Sequence, residues 1–599
     1  MVIDRQKHWQ FLEDELKAQI TEFRKKFLTS AKTLLTVNKE MFVAQFVTIK
    51  NGEMIMKFPL TRSLPRKGEH FECMVLPPEL QDYHKWGNNT YRDLHSVSYA
   101  TTECVCIWHS PADDSRFSLV GFSGVSVDFA NYIQNSSGII LAFGPQKPPL
   151  EYLMNLQRLV RQEEGLCASS VLDADYQQKD WEPILIKQDN VAGFVYTQLS
   201  LSDTMILEGP PGTGKTTMIA ELCAKLCQEG KSVLVVALTN RALMEVAEKK
   251  AVQLLLNDHK IFKTNITEDE IKEIVQLESI EQIDPKPGSL VMSTFFVSSG
   301  FAADLSFEQA FDYVIMDEGS QAFLAMFAAC KKMGKKNLWV GDTHQQMPII
   351  ELNDDMVSQR SYEPLINGFQ TLANNCSLPV YQLTTTYRFG ARAASYTGLF
   401  YNDSLVARKS MKFDDLPSLS KVLSRDGGPS LIMTDMPSGD KSPFFGVGLV
   451  AYIVGMILHD DKTKKIAVLT CLKDTVAALQ MTIAKTVGSN KELIVDTVAR
   501  VQGLTTDITI FFVPDYSYIR TMEPHLFNVA TSRSIEHTII IADKYVLDGP
   551  TLAPTVRRYL ERLKSDRSIY ISDPKHGFGN DTDYMDYQNR MVVSNIIKG

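Results

Sequence analysis

Residues 205–230 read MILEGPPGTGKTTMIAELCAKLCQEG, which is a short apolar strand, a glycine-rich loop and a helix-compatible run that Gly230 closes. The loop comprises Gly209, Pro210, Pro211, Gly212, Thr213, Gly214, Lys215, Thr216 and Thr217. Its spacing of glycines, lysine and hydroxyl is that of a phosphate-binding loop, and the strand before it and helix after it are the context that such a loop requires. Glycines let backbone N–H groups close around phosphate at a helix N-terminus. Lys215 offers a point charge to the β- and γ-phosphates, and the Thr216 hydroxyl can ligate Mg²⁺.

Working outward, short apolar runs (MIL, VLVVAL, YVIM, LWV, IAVLT, ITIFFV, TIIIAD) alternate with amphipathic stretches from about residue 185 onward. That alternation predicts an α/β fold in which parallel sheets are covered by helices. The strand at 311–316 ends in Asp317-Glu318-Gly319-Ser320-Gln321, and the strand at 337–340 leads into Gly341-Asp342-Thr343-His344-Gln345-Gln346-Met347-Pro348. An Asp-Glu pair alone reads as a solvated strand end. After a phosphate loop it reads as Asp317 in the magnesium shell and Glu318 polarising the attacking water.

GPPGTGKT, DEGSQ and GDTHQQMP, in this order, resemble motifs I, II and III of superfamily 1 helicases. LTTTYRFG at 383–390, VARVQGLTTD at 498–507 and FNVATSRS at 527–534 resemble motifs IV, V and VI. The GPPGTGKT loop, the DE-x-x-Q form and the YR pair are most like the branch of the nonsense-mediated-decay RNA helicase and its DNA-acting relatives, superfamily 1B. The resemblance implies two tandem RecA-like motor domains facing one ATP. It also implies that Gln188 reads adenine, that Tyr387 stacks on it and that Gly503 borders the nucleotide. Gln345 would join the catalytic set on the first domain, with Arg388 reaching the γ-phosphate and Arg533 serving as the arginine finger. Strand contacts would come from Thr239 and Asn240 (motif Ia), Thr294 (motif Ic), Pro348 and Thr497. Thr505 stands where motif V of the family commonly has Glu, which leaves ribose discrimination open, and Ser532 replaces a common Thr.

The N-terminal region reads differently. Trp9, Leu12, Leu16, Ile20, Phe23 and Phe27 recur at spacings of three and four, the stripe of one long helix. Asn51-Gly52 between two alternating runs signals a hairpin, and further short strands at 117–126 and 138–143 make a small β-barrel or sandwich. Leu150, Leu153, Leu156 and Val160 return to helical spacing. By layout this resembles an accessory barrel on helical stalks. The expected division is a stalk helix at 1–40, a barrel at 41–147, a second stalk helix with the first motor domain at 148–350, and the second motor domain with a tail at 351–599. Residues 256–288, polar and with Pro285 and Pro287, read as a loop or small insertion.

The formal net charge is -9, so any nucleic-acid contact must be local rather than a global basic surface. Lys85-Trp86 and Tyr91-Arg92 offer a mixture suited to base stacking and phosphate contact, though ordinary packing gives the same pairs. His70, Cys73, Cys104, Cys106 and His109 could supply a four-ligand zinc site, but buried strand cysteines are the commoner reading. Cys223 and Cys227 share one face of the helix after the loop and read as core. The nine cysteines form no C-x-x-C pair, and no run approaches the roughly 18 apolar residues that span a bilayer. The expectation is a cytoplasmic, monomeric motor using ATP and Mg²⁺ on single-stranded RNA or DNA, 5′ to 3′, with a possible recruiting protein. The alternative is an ATP-switched clamp or ribonucleoprotein remodelling factor with little net unwinding.

Overall fold

The computed structural model describes residues 3–571 except 51, 60–63, 66–68, 112–116, 135–137, 163–166, 177–181, 375–377, 414–415, 435–445, 489, 491, 502, 515–521 and 549–551; residues 572–599 lie outside it. Six antiparallel strands close a barrel in the order β1-β2-β5-β4-β3-β6: β1 Phe42–Lys50, β2 Glu53–Pro59, β3 His70–Val75, β4 Ala100–Pro111, β5 Phe117–Ser123 and β6 Ile140–Phe143. Lys50 pairs with Glu53, so the β1–β2 turn holds two residues; Gly52 supplies a φ of +80°, and Asn51 falls outside the described residues. Phe42, Phe58, Phe71, Phe122 and Phe143 fill the interior with Cys73, Cys104 and Cys106.

That packing bears on two sequence readings. The three cysteines are buried core thiols, with Cys73 and Cys104 pushed up chiefly by burial, and His70 is exposed. The His109 side chain is outside the description, and among the described residues no cluster of three His, Cys, Asp or Glu could hold a metal. Trp86 and Tyr91 are each 1% exposed, with Trp86 Nε1 donating to the Leu80 carbonyl and the Tyr91 hydroxyl to Glu72. They cannot stack on a base. The alternative, packing, holds for both.

A helix at Arg5–Leu28, about 36 Å long by its residue count, joins the barrel to the larger α/β body. Asp4 caps it through the Lys7 N–H. Its C-terminal half meets the barrel through Phe27 edge-on to Tyr91. Its N-terminal half packs Phe11 and Leu12 against the helix Leu150–Val160 and against Phe323 and Tyr362.

The first sheet is wholly parallel and nine-stranded: β7 Ile184–Ile186, β8 Thr204–Glu208, β9 Val233–Ala237, β10 Ile261–Thr264, β11 Glu278–Ile280, β12 Leu290–Thr294, β13 Phe311–Met316, β14 Gly334–Gly341 and β15 Val380–Leu383. The order is β11-β10-β12-β9-β13-β14-β8-β15-β7. Its strands read as continuous apolar runs because both faces are covered: Ile206 belongs to one core, and Met205 and Leu207 to the other. Two boundaries differ from the sequence expectation. Residues 256–288 contribute β10 and β11, held by buried Lys263 paired with Glu270 at 3.1 Å; the lysine masked a strand because charge in a short run reads as loop. The first domain does not end at 350, since Leu352, Val357, Leu365, Phe369 and Val380 sit in its core and β15 lies beside β8.

The chain then crosses over through the two-stranded pair β16 Thr385–Thr386 and β17 Val406–Ala407. The second sheet is also parallel, in the order β20-β19-β21-β22-β18-β23: β18 Gly428–Thr434, β19 Ile466–Thr470, β20 Leu493–Thr497, β21 Thr506–Val513, β22 Ser534–Asp543 and β23 Ser568–Ile571. No helix among the described residues is long and apolar enough to cross a membrane.

Candidate active site

In a parallel sheet every strand delivers its C-terminal end to the same edge, where functional loops gather. Here β8 delivers the loop 209–214, β13 delivers Asp317 and Glu318, β14 delivers 341–345, and β15 leads to 384–388. Gly212 and Gly214 take φ of +73° and +82°, which the turn into the helix Lys215–Gln228 requires. The Gly209 N–H donates to the Gly341 carbonyl at 2.9 Å and fastens the loop to the end of β14. Pro210, Pro211 and Thr213 complete the turn, with the Thr213 hydroxyl donating to the Pro210 carbonyl, and Thr216 and Thr217 lie in the first turn of the helix. The helix N-terminus leaves unpaired N–H groups and a positive pole facing the loop, a ready anion site. Lys215 folds its ammonium back onto the Gly209 and Pro210 carbonyls. Burial lowers its pKa while Asp342 and Asp317 oppose that.

Asp317 is 5% exposed and accepts the Glu318 N–H at 2.8 Å. Glu318 has a φ of +54°, a left-handed conformation costly for a side-chain-bearing residue and held only because its surroundings fix it. Its carboxyl is pushed up to about 8, first by burial and then by the Asp317 charge, and its Oε2 has no hydrogen-bond partner. Gly503, at φ +80°, comes from the other domain so close that a Cβ there would stand 3.9 Å from Glu318 Oε1. For the ion, the Asp317 carboxylate and the Thr216 hydroxyl are hard oxygen donors, which suit Mg²⁺ brought in on phosphates.

From the far side come two guanidiniums. The Arg388 Nη1 donates to the Ser532 carbonyl at 2.8 Å, and the Tyr387 N–H donates to the Gly212 carbonyl at 2.8 Å. Arg533, 2% exposed, donates from Nε to the Val529 carbonyl and from Nη2 to Gln345 Oε1 at 3.3 Å. Gln345 Nε2 in turn donates to Asp342 at 2.5 Å. Burial lowers Arg388 to about 9 and Arg533 to about 10, and the charge of Arg533 lowers Arg388 further. Lys215, Asp317, Glu318, Gln345, Arg388 and Arg533 therefore share one cleft between the two sheets.

Of the other sequence candidates, Thr239 hydrogen-bonds the Glu318 carboxyl, which opposes the rise of its pKa, and Tyr387 holds the loop through its N–H. Tyr387 is half exposed and lies in ordinary contact range of Gly214, whereas Gln188 is exposed beyond the edge strand β7 with no hydrogen bond to the loop. The pairing of Ala237 with Thr294 sets Thr239 and Asn240, just past the end of β9, beside Thr294, the last residue of the adjacent strand β12. Thr239 caps the helix Asn240–Ala247 through the Ala242 N–H, while Thr294 makes no side-chain cap bond. Pro348 is half-buried beyond Gln345. Thr497 is 7% exposed at the end of β20.

Sequence reasoning missed three groups. Glu245, on the helix Asn240–Ala247, bears electrostatically on Asp317, Glu318, Arg388 and Arg533 at once. Tyr401 and Asn528 join the Asp342 loop to the second domain. A single Glu on a helix reads as a solvated face, Tyr401 lies on no motif, and Asn528 lies within the motif VI stretch 527–534, where only Arg533 was given a role.

Residues 195–351 match a family model described as an AAA domain. The chain is similar to the DNA replication ATP-dependent helicase/nuclease dna2 of Schizosaccharomyces pombe, 23% identical over 505 residues, covering 76% of this chain and 34% of that one. It is similar to the protein of that name in Homo sapiens, 31% identical over 201 residues, covering 32% of this chain and 18% of that one. The chain spans 12% of the length of the Saccharomyces cerevisiae counterpart and 34% of that from fission yeast, well under two thirds of either. Among solved structures, Arterivirus nonstructural protein 10 (helicase) superposes with a TM-score of 0.37 at 12% identity, over 84% of this chain and 76% of that one, too loosely to carry an argument.

Proposed function

We propose that this chain, whose motifs resemble those of superfamily 1 helicases and which is similar to DNA replication ATP-dependent helicase/nucleases, is an ATP-driven motor on single-stranded nucleic acid. DNA is the favoured track and 5′ to 3′ the direction. The motor opens duplexes or displaces bound proteins.

One observation carries the reading. A buried guanidinium from the second domain, Arg533, and the half-buried guanidinium of Arg388 on the crossover after β15 face the half-buried ammonium of Lys215 on the first domain, and Arg533 depresses the pKa of Arg388. Like charges brought together out of water need an anion between them, and the triphosphate of ATP is an anion of the right charge beside a helix N-terminus. Mg²⁺, held by Thr216 and Asp317, would neutralise β- and γ-phosphate charge. Glu318 orients a water and takes its proton as the water oxygen bonds the γ-phosphorus; the bond to the β-phosphate oxygen breaks and ADP leaves with that electron pair. Arg388 and Arg533 stabilise the charge on the transferred group, and only a closed cleft brings them there. Hydrolysis is thereby tied to the separation of the two sheets.

The strand would run over Thr239, Asn240 and Thr294, where hydroxyls, amides and helix N-termini contact phosphates without reading sequence. The experiment is ATP hydrolysis with matched single-stranded DNA and RNA, followed by displacement of duplexes carrying 5′ or 3′ tails. Strand-stimulated hydrolysis with displacement from 5′-tailed DNA is expected. Stimulation without displacement on any substrate would favour the clamp, and hydrolysis indifferent to either strand would sink both readings.

A further inference from the structure

We propose that Tyr401 is a positioning residue for hydrolysis: its hydroxyl, shared between Asp342 of one domain and Asn528 of the other, keeps Gln345 and Arg533 in register. The proposal rests on the ATPase reading of the same cleft and adds to it a residue on no motif.

Tyr401 follows the turn Gly398–Phe400 and packs in the second-domain core with Leu399, Phe400 and Phe527. Its ring lies edge-on to His344 of the first domain, centroids 5.0 Å apart. Its hydroxyl donates to the Asp342 carboxylate, with oxygens at 2.8 and 3.0 Å, and accepts from Asn528 Nδ2 at 2.8 Å. The same Asn528 amide donates to the His344 carbonyl at 2.8 Å. Asp342 accepts Gln345 Nε2, Gln345 accepts Arg533 Nη2, and Arg533 Nε returns to the Val529 carbonyl on the helix Pro524–Thr531 that carries Asn528. The bonds thus close a ring through both domains, and every side chain in it is buried.

Buried tyrosines elsewhere bond partners on their own side of the cleft, as Tyr176 does with the Val171 carbonyl, Tyr91 with Glu72 and Tyr396 with Asp566. Tyr401 instead takes a carboxylate from the facing domain. Burying a carboxylate at a domain interface is costly unless its partners are well placed. Such an arrangement defines position more than it adds stability. The hydroxyl both gives and takes a hydrogen bond, so phenylalanine cuts the ring at two points while keeping the packing on His344. Burial and the Asp342 charge hold the phenol far above its usual range, so it remains a donor.

The test uses the full chain with Tyr401→Phe, with Asn528→Ala as a second cut in the same ring. Affinity for a non-hydrolysable ATP analogue should stay within about twofold. Strand-stimulated kcat should fall about tenfold for Tyr401→Phe, as expected for one lost positioning hydrogen bond. The loss should not multiply with that of Gln345→Ala, because both act through one chain of bonds. Amide exchange should speed up in the helix Pro524–Thr531 and at 342–348 in both ring variants. Unchanged kcat with unchanged exchange, or a loss that multiplies fully with Gln345→Ala, overturns the proposal. A wild-type protein that hydrolyses no ATP overturns the motor reading separately, and the exchange measurement still decides the register.

Discussion

Replacing Gly212 with alanine puts one methyl at the meeting of the two domains. The methyl would collide with Arg388 Cβ and stand 2.8 Å from Thr386 Oγ1 and 3.3 Å from the Arg388 nitrogen. None of these atoms can swing aside as the end of a long side chain would. Reaching ordinary contact requires the loop and the 386–388 segment to part by on the order of 1 Å, which breaks the Tyr387 N–H bond to Gly212 and drags Arg388 off the Ser532 carbonyl. The φ of +73° adds about 1–2 kcal/mol of backbone strain. A misplacement of this size at a catalytic group costs about a hundredfold in rate. Steady-state hydrolysis and a thermal melt measure both effects: kcat should fall by that factor while Tm drops only a few degrees, about 2–4 °C per kcal/mol. Gly214→Ala is the control, since it carries the same strain at φ +82° but meets Tyr387 at 3.7 Å. Gly212→Ala with turnover within about twofold of wild type, or no worse than Gly214→Ala, would refute the claim that this contact forms in the working cleft.

Two stability predictions follow from buried groups elsewhere. Glu15, 0% exposed on the Arg5–Leu28 helix, accepts the Glu351 and Leu352 N–H groups at 3.0 and 3.1 Å. Glu15→Ala leaves both donors without that partner and should cost about 2–3 kcal/mol in denaturant unfolding, whereas Glu15→Gln, which keeps an acceptor, should cost less; equal losses would deny the hydrogen bonds their role. Burial lowers His537 from 6.5 to about 4. It stays neutral in the fold while the unfolded chain takes a proton below pH 6.5, so its contribution is complete above 6.5 and declines as pH falls toward 4, by about 2 kcal/mol at pH 5. His537→Met should flatten the fall in Tm between pH 7 and pH 5, and an identical slope in both proteins would contradict the burial.

Much of the site was legible because phosphoryl chemistry demands particular side chains at strand ends. Gly209 to Thr217, Asp317-Glu318 and Gln345 each follow an apolar run that the sequence displays, and parallel topology carries all three to one edge. Arg388 and Arg533 were legible only through the ordered motif set, since nothing local distinguishes a buried arginine from a surface one. What failed depended on tertiary partners. Lys263 hides the strand β10 because its neutralising Glu270 lies seven residues on, in a helix. Trp86 and Tyr91 resembled stacking platforms but are consumed by Leu80 and Glu72. The domain boundary slipped from about 350 to beyond Leu383 because β15 is added to the first sheet beside β8, a long-range pairing without a local signal. Tyr401, Asn528 and Glu245 owe their place to the closure of one domain on the other, which no single segment encodes.

The most direct measurement is phosphate release from ATP by wild type and Glu318→Gln, each with and without single-stranded DNA. The account predicts release by wild type that the strand accelerates, and nucleotide binding without release by Glu318→Gln. Release undiminished in Glu318→Gln, or no release by wild type with or without the strand, would contradict it.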